Sequence, residues 1–151
     1  MQHFWFFAMV VAASAAFALL EVQIEGTAGW AAALPTWRVE NRFTRLVMGG
    51  RTLTGYHLWV HVVVLLLVHL GYAVGAAAPS WAVEARIVAF LIFFWVLEDF
   101  LWFVFNPAFG VRRFRREHVP WHALAWWWIM PRDYWIFTPL AVLLYAWSLR
   151  T

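Results

Sequence analysis

The run Ile87–Phe105 is apolar at every position except Glu98 and Asp99. A helix rises ~1.5 Å per residue, so about 20 apolar residues cross the ~30 Å hydrocarbon core of a bilayer. This run is long enough to span. Acids placed inside such a helix cost several kcal/mol each unless they are paired or hydrated, so they mark a functional site by default.

Other segments read the same way. Phe4–Leu20 is apolar apart from Ser14, and Leu58–Ala78 is interrupted mainly by His61, His69 and glycines. Tyr134–Leu149 is shorter and holds Pro139, which predicts a kink or a thin local bilayer. Only 13% of the chain is charged and 65% is hydrophobic. A soluble globular domain carries roughly 25% charged residues. The predicted fold is therefore all-α: a polytopic integral membrane protein with about four transmembrane helices, forming a single helical-bundle domain over residues 1–151. Phe4–Leu20 lacks a positive segment before it and runs into Glu21 and Glu25, so it reads as a retained helix rather than a signal peptide.

The loops carry the cations, all of them arginine. Loop one, between the first two spans, holds Arg38, Arg42, Arg45 and Arg51; loop three holds Arg112, Arg113, Arg115, Arg116 and Arg132. The loop between them has Arg86 alone, beside Glu84. By the positive-inside rule loops one and three are cytoplasmic, which leaves both termini outside a multi-pass protein of the cell membrane. In loop one, Thr36 can cap a helix running to Met48, where Gly49 and Gly50 end it. Val39, Phe43, Leu46 and Val47 share one face of it beside an arginine stripe, the pattern of an amphipathic interfacial helix. Packing on the protein's own loops would suit the same pattern. In loop three, Val119–Met130 is too short to span, and its Trp126-Trp127-Trp128 run predicts a Trp-rich interfacial segment. Arg38, Arg42, Arg112, Arg113 and Arg116 are candidates for holding a lipid headgroup. The net charge of +3 reads as orientation, and no nucleic-acid partner is expected.

This topology gathers the polar residues at one level. Glu21 and Glu25 end the first span, His57 and His61 begin the second, Glu98 and Asp99 lie in the inner half of the third, and His122 and Asp133 approach the fourth. A hairpin turning near Ser80 brings His61 and Glu98 to similar depth. His57 and His61 are four apart and share a helix face, so they could share a metal. Glu98 is the carboxylate expected to join them, with Asp99 orienting a histidine and Glu21, Glu25 or His122 completing the set. Imidazole with carboxylate suits a divalent metal: zinc, iron or manganese. Amphipathic helix surface is the plainer account of the histidine pair, and pairing with Arg38 or Arg132 the plainer account of Glu98. His69, deeper in its span, reads as hydrogen-bonded between helices.

Several known chemistries lack their residues. The chain has no cysteine, no adjacent histidine pair, no Glu-x-x-His motif and no glycine-rich phosphate loop. The leading expectation is a small membrane metalloprotein, an enzyme acting on a lipid or other lipophilic substrate, with Glu98 and Asp99 in the catalytic role. Two other classes fit the same residues: a non-catalytic subunit or assembly factor of a larger membrane complex, and a small proton-coupled transporter or lipid-binding protein, which would be a homo-oligomer.

Overall fold

The computed structural model describes residues 1–150, apart from the side chain of Val47. The chain is mostly helical. Helix α1 covers Gln2–Glu25; a strand pair, β1 (Arg38–Val39) with β2 (Leu53–Thr54), brackets the short helix α2 (Arg42–Val47). Helix α3 covers Gly55–Val68 and one turn, α4, covers Leu70–Ala73. The long helix α5, Trp81–Phe105, is followed by 3-10 turns, a hairpin of β3 (Trp126–Trp127) with β4 (Met130–Pro131), and helix α6, Arg132–Trp147.

Local chemistry sets these boundaries. Ser80 accepts a hydrogen bond from Val83 N and starts α5; Thr54 accepts one from His57 N and starts α3. Gly26, at φ 62°, stops α1 in a conformation that disfavours a side chain. The second predicted span is broken. His69 gives its Nδ1 hydrogen to Leu65 O at 2.7 Å, the carbonyl that a continuing helix would offer to the His69 amide. The helix predicted through Met48 is also shorter than expected, because β1 takes Arg38–Val39 and Asn41 caps α2 in a reciprocal box with Thr44. The tryptophan run forms part of a hairpin, with Trp128 at φ 58° in its turn and its side chain exposed.

Helix α5 is the centre, packed by α1 on one side and α6 on the other. Small side chains let the backbones approach: Ser14, Ala18, Ala89 and Ala141 are completely buried, and Ser14 Oγ donates to Phe94 O at 3.0 Å. Polar ties at the helix ends show that α1, α3, α5 and α6 alternate in direction. His3 Nδ1 meets the Tyr145 hydroxyl at 2.7 Å, Arg86 Nη2 donates to Ser148 O at 2.9 Å, and His69 Nε2 lies 3.3 Å from Glu84. The other end of the bundle holds the termini of α1 and α5, the starts of α3 and α6, and an aromatic floor. There Trp102, Phe103 and Val119 are buried with Phe109, Phe114 and Trp121 around them.

Helices α1, with 24 residues, and α5, with 25, are long and apolar enough to cross a bilayer. Helix α3 has 14 residues and α6 has 16, lengths that fall short of ~30 Å when taken alone. The outer faces carry exposed apolar side chains, among them Leu65, Leu66, Leu67, Val142 and Leu143.

Because Ala18 has no free space at the α1–α5 contact, Ala18→Leu should destabilise the bundle by ~1–3 kcal/mol through overpacking. Leu66→Ala, on an exposed face, should change stability by less than ~0.5 kcal/mol. Unfolding of both variants in detergent checks the contrast.

Candidate functional site

At the end of the bundle that carries the aromatic floor, the helices enclose a cavity of about 350 Å3. Glu21 and Glu25 from α1, His57 and His61 from α3, and Glu98 and Asp99 from α5 all line it. His122 from the long loop and Asp133 from the start of α6 join them. The polar residues singled out by depth along the sequence thus come to one place.

Each side chain has a defined partner set. Asp99 accepts from His122 Nε2 at 3.1 Å and, at its other oxygen, from the Tyr134 hydroxyl. A carboxylate can only accept, so His122 carries its proton on Nε2. Its Nδ1 then faces Arg51 Nη1 at 3.4 Å. The second arm of Arg51 donates to Asp133 Oδ2 at 3.0 Å, and Arg132 donates to Asp133 Oδ1 at the same distance. The result is a continuous line: Asp133, Arg51, His122, Asp99, Tyr134. Asp99 orients a histidine, and that histidine is His122.

Histidine 57 is gripped on three sides. Its Nδ1 meets Thr54 Oγ1 at 2.7 Å, its ring stacks on Trp30 with centroids 4.0 Å apart, and its Nε2 points at Glu25 Oε1, 3.7 Å away. Glu25 also accepts from Ala31 N, and Arg51 lies over the loop's Trp30 ring at 5.0 Å. His61 is different. It stacks on Trp95 with centroids 4.2 Å apart, and its Nδ1 hydrogen goes to His57 O at 2.7 Å. A carbonyl only accepts, so the neutral ring keeps its lone pair on Nε2, which no described residue engages. Among the cavity histidines His61 alone is exposed.

Glu98 faces Glu21, whose Oε1 accepts from the Tyr56 hydroxyl at 2.9 Å. Two facing carboxyls need a proton or a cation between their oxygens. Glu98 Oε1 is buried without a hydrogen-bond partner, and so is Trp102 Nε1, one turn further along α5. Both residues line the cavity.

The metal set expected from His57, His61 and Glu98 is not assembled. Among the described residues, no three histidine, aspartate or glutamate side chains are grouped to hold an ion. The two rings are held apart in function by their stacking partners: His57 packs on Trp30 with its Nε2 toward Glu25, while His61 packs on Trp95 of α5. The arginines expected to hold a headgroup also lie outside the cavity. Arg38 donates to the carbonyls of Ala31, Ala32, Leu34 and Thr36, Arg113 to Ala108 O, and Arg116 to Ala123 O. Arg42 lines a separate shallow pocket with Glu40 and Arg45, and Arg112 sits in an exposed turn.

The sequence reading did not single out Arg51, Tyr56, Tyr134, Trp30 or Trp102 for this site. Tyr56 and Tyr134 each sit beside a flagged residue at a helix start, which is a usable signal. Trp30 reaches His57 only because it adopts φ 47°, and nothing in its neighbours announces that.

Comparison with known proteins places the chain in no family. No family model matches it, and no curated protein or solved structure is significantly similar. The site has to be read from its own chemistry.

Removing Asp99 leaves two buried donors without an acceptor, so Asp99→Leu should destabilise by more than Tyr134→Phe, which removes one donor. Roughly 1–3 kcal/mol per stranded group is expected. A double-mutant cycle of Asp99→Leu with His122→Leu should show coupling of at least ~0.5 kcal/mol. Strict additivity in thermal unfolding would disprove the line described above.

Proposed function

We propose that the protein is a multi-pass membrane enzyme that receives the polar end of a lipophilic substrate in this cavity and moves protons there by general acid–base chemistry. The observation that carries the reading is the pair of buried, unpartnered atoms Glu98 Oε1 and Trp102 Nε1 in one cavity. An acceptor and a donor left without partners in a low-dielectric site cost ~1–3 kcal/mol each, and a ligand oxygen that both donates and accepts would relieve both. Ionisable groups beside them supply the chemistry. His61 Nε2 and Glu98 Oε1 are the groups without a protein partner, whereas His122, Asp99 and Arg51 hold one another and position the wall.

In this reading four segments cross the bilayer, α1 and α5 with α3 and α6. Helix α3 with α4 extends from Gly55 to Ala73, which at ~1.5 Å per residue approaches the ~30 Å core. Helix α6, at ~24 Å, is flanked by Arg132 and Arg150, whose side chains can reach the interfaces of a locally thinned bilayer. The exposed apolar side chains on the outer helix faces favour a lipid surround. Loops one and three then lie together in the cytoplasm, the termini lie outside, and the cavity sits at the inner leaflet.

The chain's lack of cysteine makes topology directly measurable. Ala77→Cys and Arg150→Cys should react with an impermeant maleimide on intact cells, and Arg45→Cys and Arg115→Cys only after permeabilisation. The opposite pattern would remove the proposed orientation. For the chemistry, the protein is purified in nanodiscs with the lipophile it retains and moved to D2O. Solvent deuterium should enter carbon-bound positions of that lipophile, since O–H exchange needs no catalyst, and Glu98→Gln should slow it by roughly 10²–10⁴-fold while the lipophile stays bound. No exchange by the unaltered protein would favour a binding or assembly role instead. A stoichiometric metal, lost in a His57→Ala/His61→Ala variant, would replace the acid–base reading with a metalloenzyme.

A further inference from the structure

The cavity is not polar along its whole length. Its lining on α5 runs from Phe103 back to Ile92, about 16 Å at ~1.5 Å per residue. The end near Trp102 is polar. The other end, toward the middle of α5, is walled by Ile92, Trp95, Val96 and, from α6, Phe137. That apolar arm is less firmly tied on one of its sides. On its α1 side, helix α3 is tied at its first turn by the hydrogen bond from Tyr56 to Glu21. On its α6 side, no hydrogen bond or ring contact joins α3 to α6 among the described residues, and the packed helix pairs are α1 with α5 and α5 with α6. His61, the exposed histidine, lines the cavity from α3.

The charge balance of the polar end selects a ligand class. Glu21, Glu25, Glu98, Asp99 and Asp133 line it against the single guanidinium of Arg51, which Asp133 and His122 already occupy. An anionic headgroup would meet carboxylates. A hydroxyl would not, and it can donate to Glu98 Oε1 while accepting from Trp102 Nε1.

We infer that the substrate is a single-chain lipid with a terminal hydroxyl, and that it enters sideways between α3 and α6 with its hydrocarbon chain lying in the apolar arm along Ile92–Val96. The inference rests on the proposed function and adds to it the substrate class and the route. It also gives Ile92, Trp95 and Phe137 a task that the acid–base reading leaves unassigned: they measure the chain rather than touch the reacting atoms.

The test uses the whole protein in phosphatidylcholine nanodiscs with photoreactive dodecanols as the probe. One carries a diazirine next to the hydroxyl and one carries it near the far end of the chain. The first should label α5 at Glu98–Trp102. The second should label Trp95, Val96 and Phe137, and Ile92→Trp should cut that second labelling at least tenfold while the first persists. Phe137→Trp serves as an independent block should Ile92→Trp fail to fold. Excess dodecanol should compete, and dodecyl phosphate should not. If the head-end probe labels the polar end while the tail-end probe labels only outer faces such as Leu66 and Leu143, the lateral route is wrong and the acid–base site stands. Labelling of neither region would overturn both. Protection by dodecyl phosphate would overturn the choice of a hydroxyl.

Discussion

A carboxylate inside an apolar helix has to be answered by the rest of the protein. Helix α5 carries two in succession, Glu98 and Asp99, between Leu97 and Phe100. Their cost in a low-dielectric surround is too large to leave uncompensated. Much of the architecture at that end follows. Asp99 draws in His122 from a loop and Tyr134 from α6, so the segment after Asn106 folds back beneath the bundle instead of trailing away. Once His122 is held, its neighbours Val119 and Trp121 come to rest against Trp102 and Phe103, and the aromatic floor closes. Asn106 adds a clamp from its Nδ2 to Gly26 O at 2.8 Å. One ionisable pair on one helix thereby fixes the place of both long loops.

Glu98 is answered less completely than Asp99, and the difference separates structure from chemistry. Asp99 has two donors, and its loss would strand both. Glu98 has a carboxyl opposite it and one oxygen with nothing opposite it. A group retained in that condition is the kind that exchanges a proton or accepts a ligand rather than one that holds the fold together. Helix α3 matches this division. It is tied at its base through Tyr56 and His57, at its middle by the stack of His61 on Trp95, and at its far end through His69, while it presents Leu65 to Leu67 outward.

How much of this was legible in the sequence depended on the range of the interaction. The long helices were legible because apolar runs report on length; α6 lies within two residues of its predicted limits, while α1 runs on to Glu25 and α5 begins back at Trp81, past the ends of their apolar runs. Depth was legible too. Counting residues from the turn near Ser80 put His61 beside Glu98, and both line the cavity. Local competition was not. The break at His69 leaves no mark in the apolar run, and the shortening of the loop-one helix depends on β1 pairing with β2 across residues 38 to 54. Pairings of that range leave no periodic trace. Arg51 was the largest omission from the site. Counted among loop cations, it looked like its neighbours, and only the turn at Gly49 and Gly50 sends it inward while Arg38 and Arg45 stay outside.

The arginines themselves argue for a division of labour between orientation and chemistry. Arg38, Arg113 and Arg116 place their guanidiniums on backbone carbonyls, where they bind loops together at a depth that still lets the charge reach water. Arg51 has gone further in, and its charge is met by Asp133 and by the lone pair of His122. In the proposed topology loops one and three must lie on the same side for this to happen, because Arg51 comes from one and His122 from the other. An odd number of crossings between them would put the bilayer between the two partners. The polar line from Asp133 to Tyr134 therefore constrains the crossings of α3 and α5 together, independently of where the surface arginines fall: both cross, or neither does.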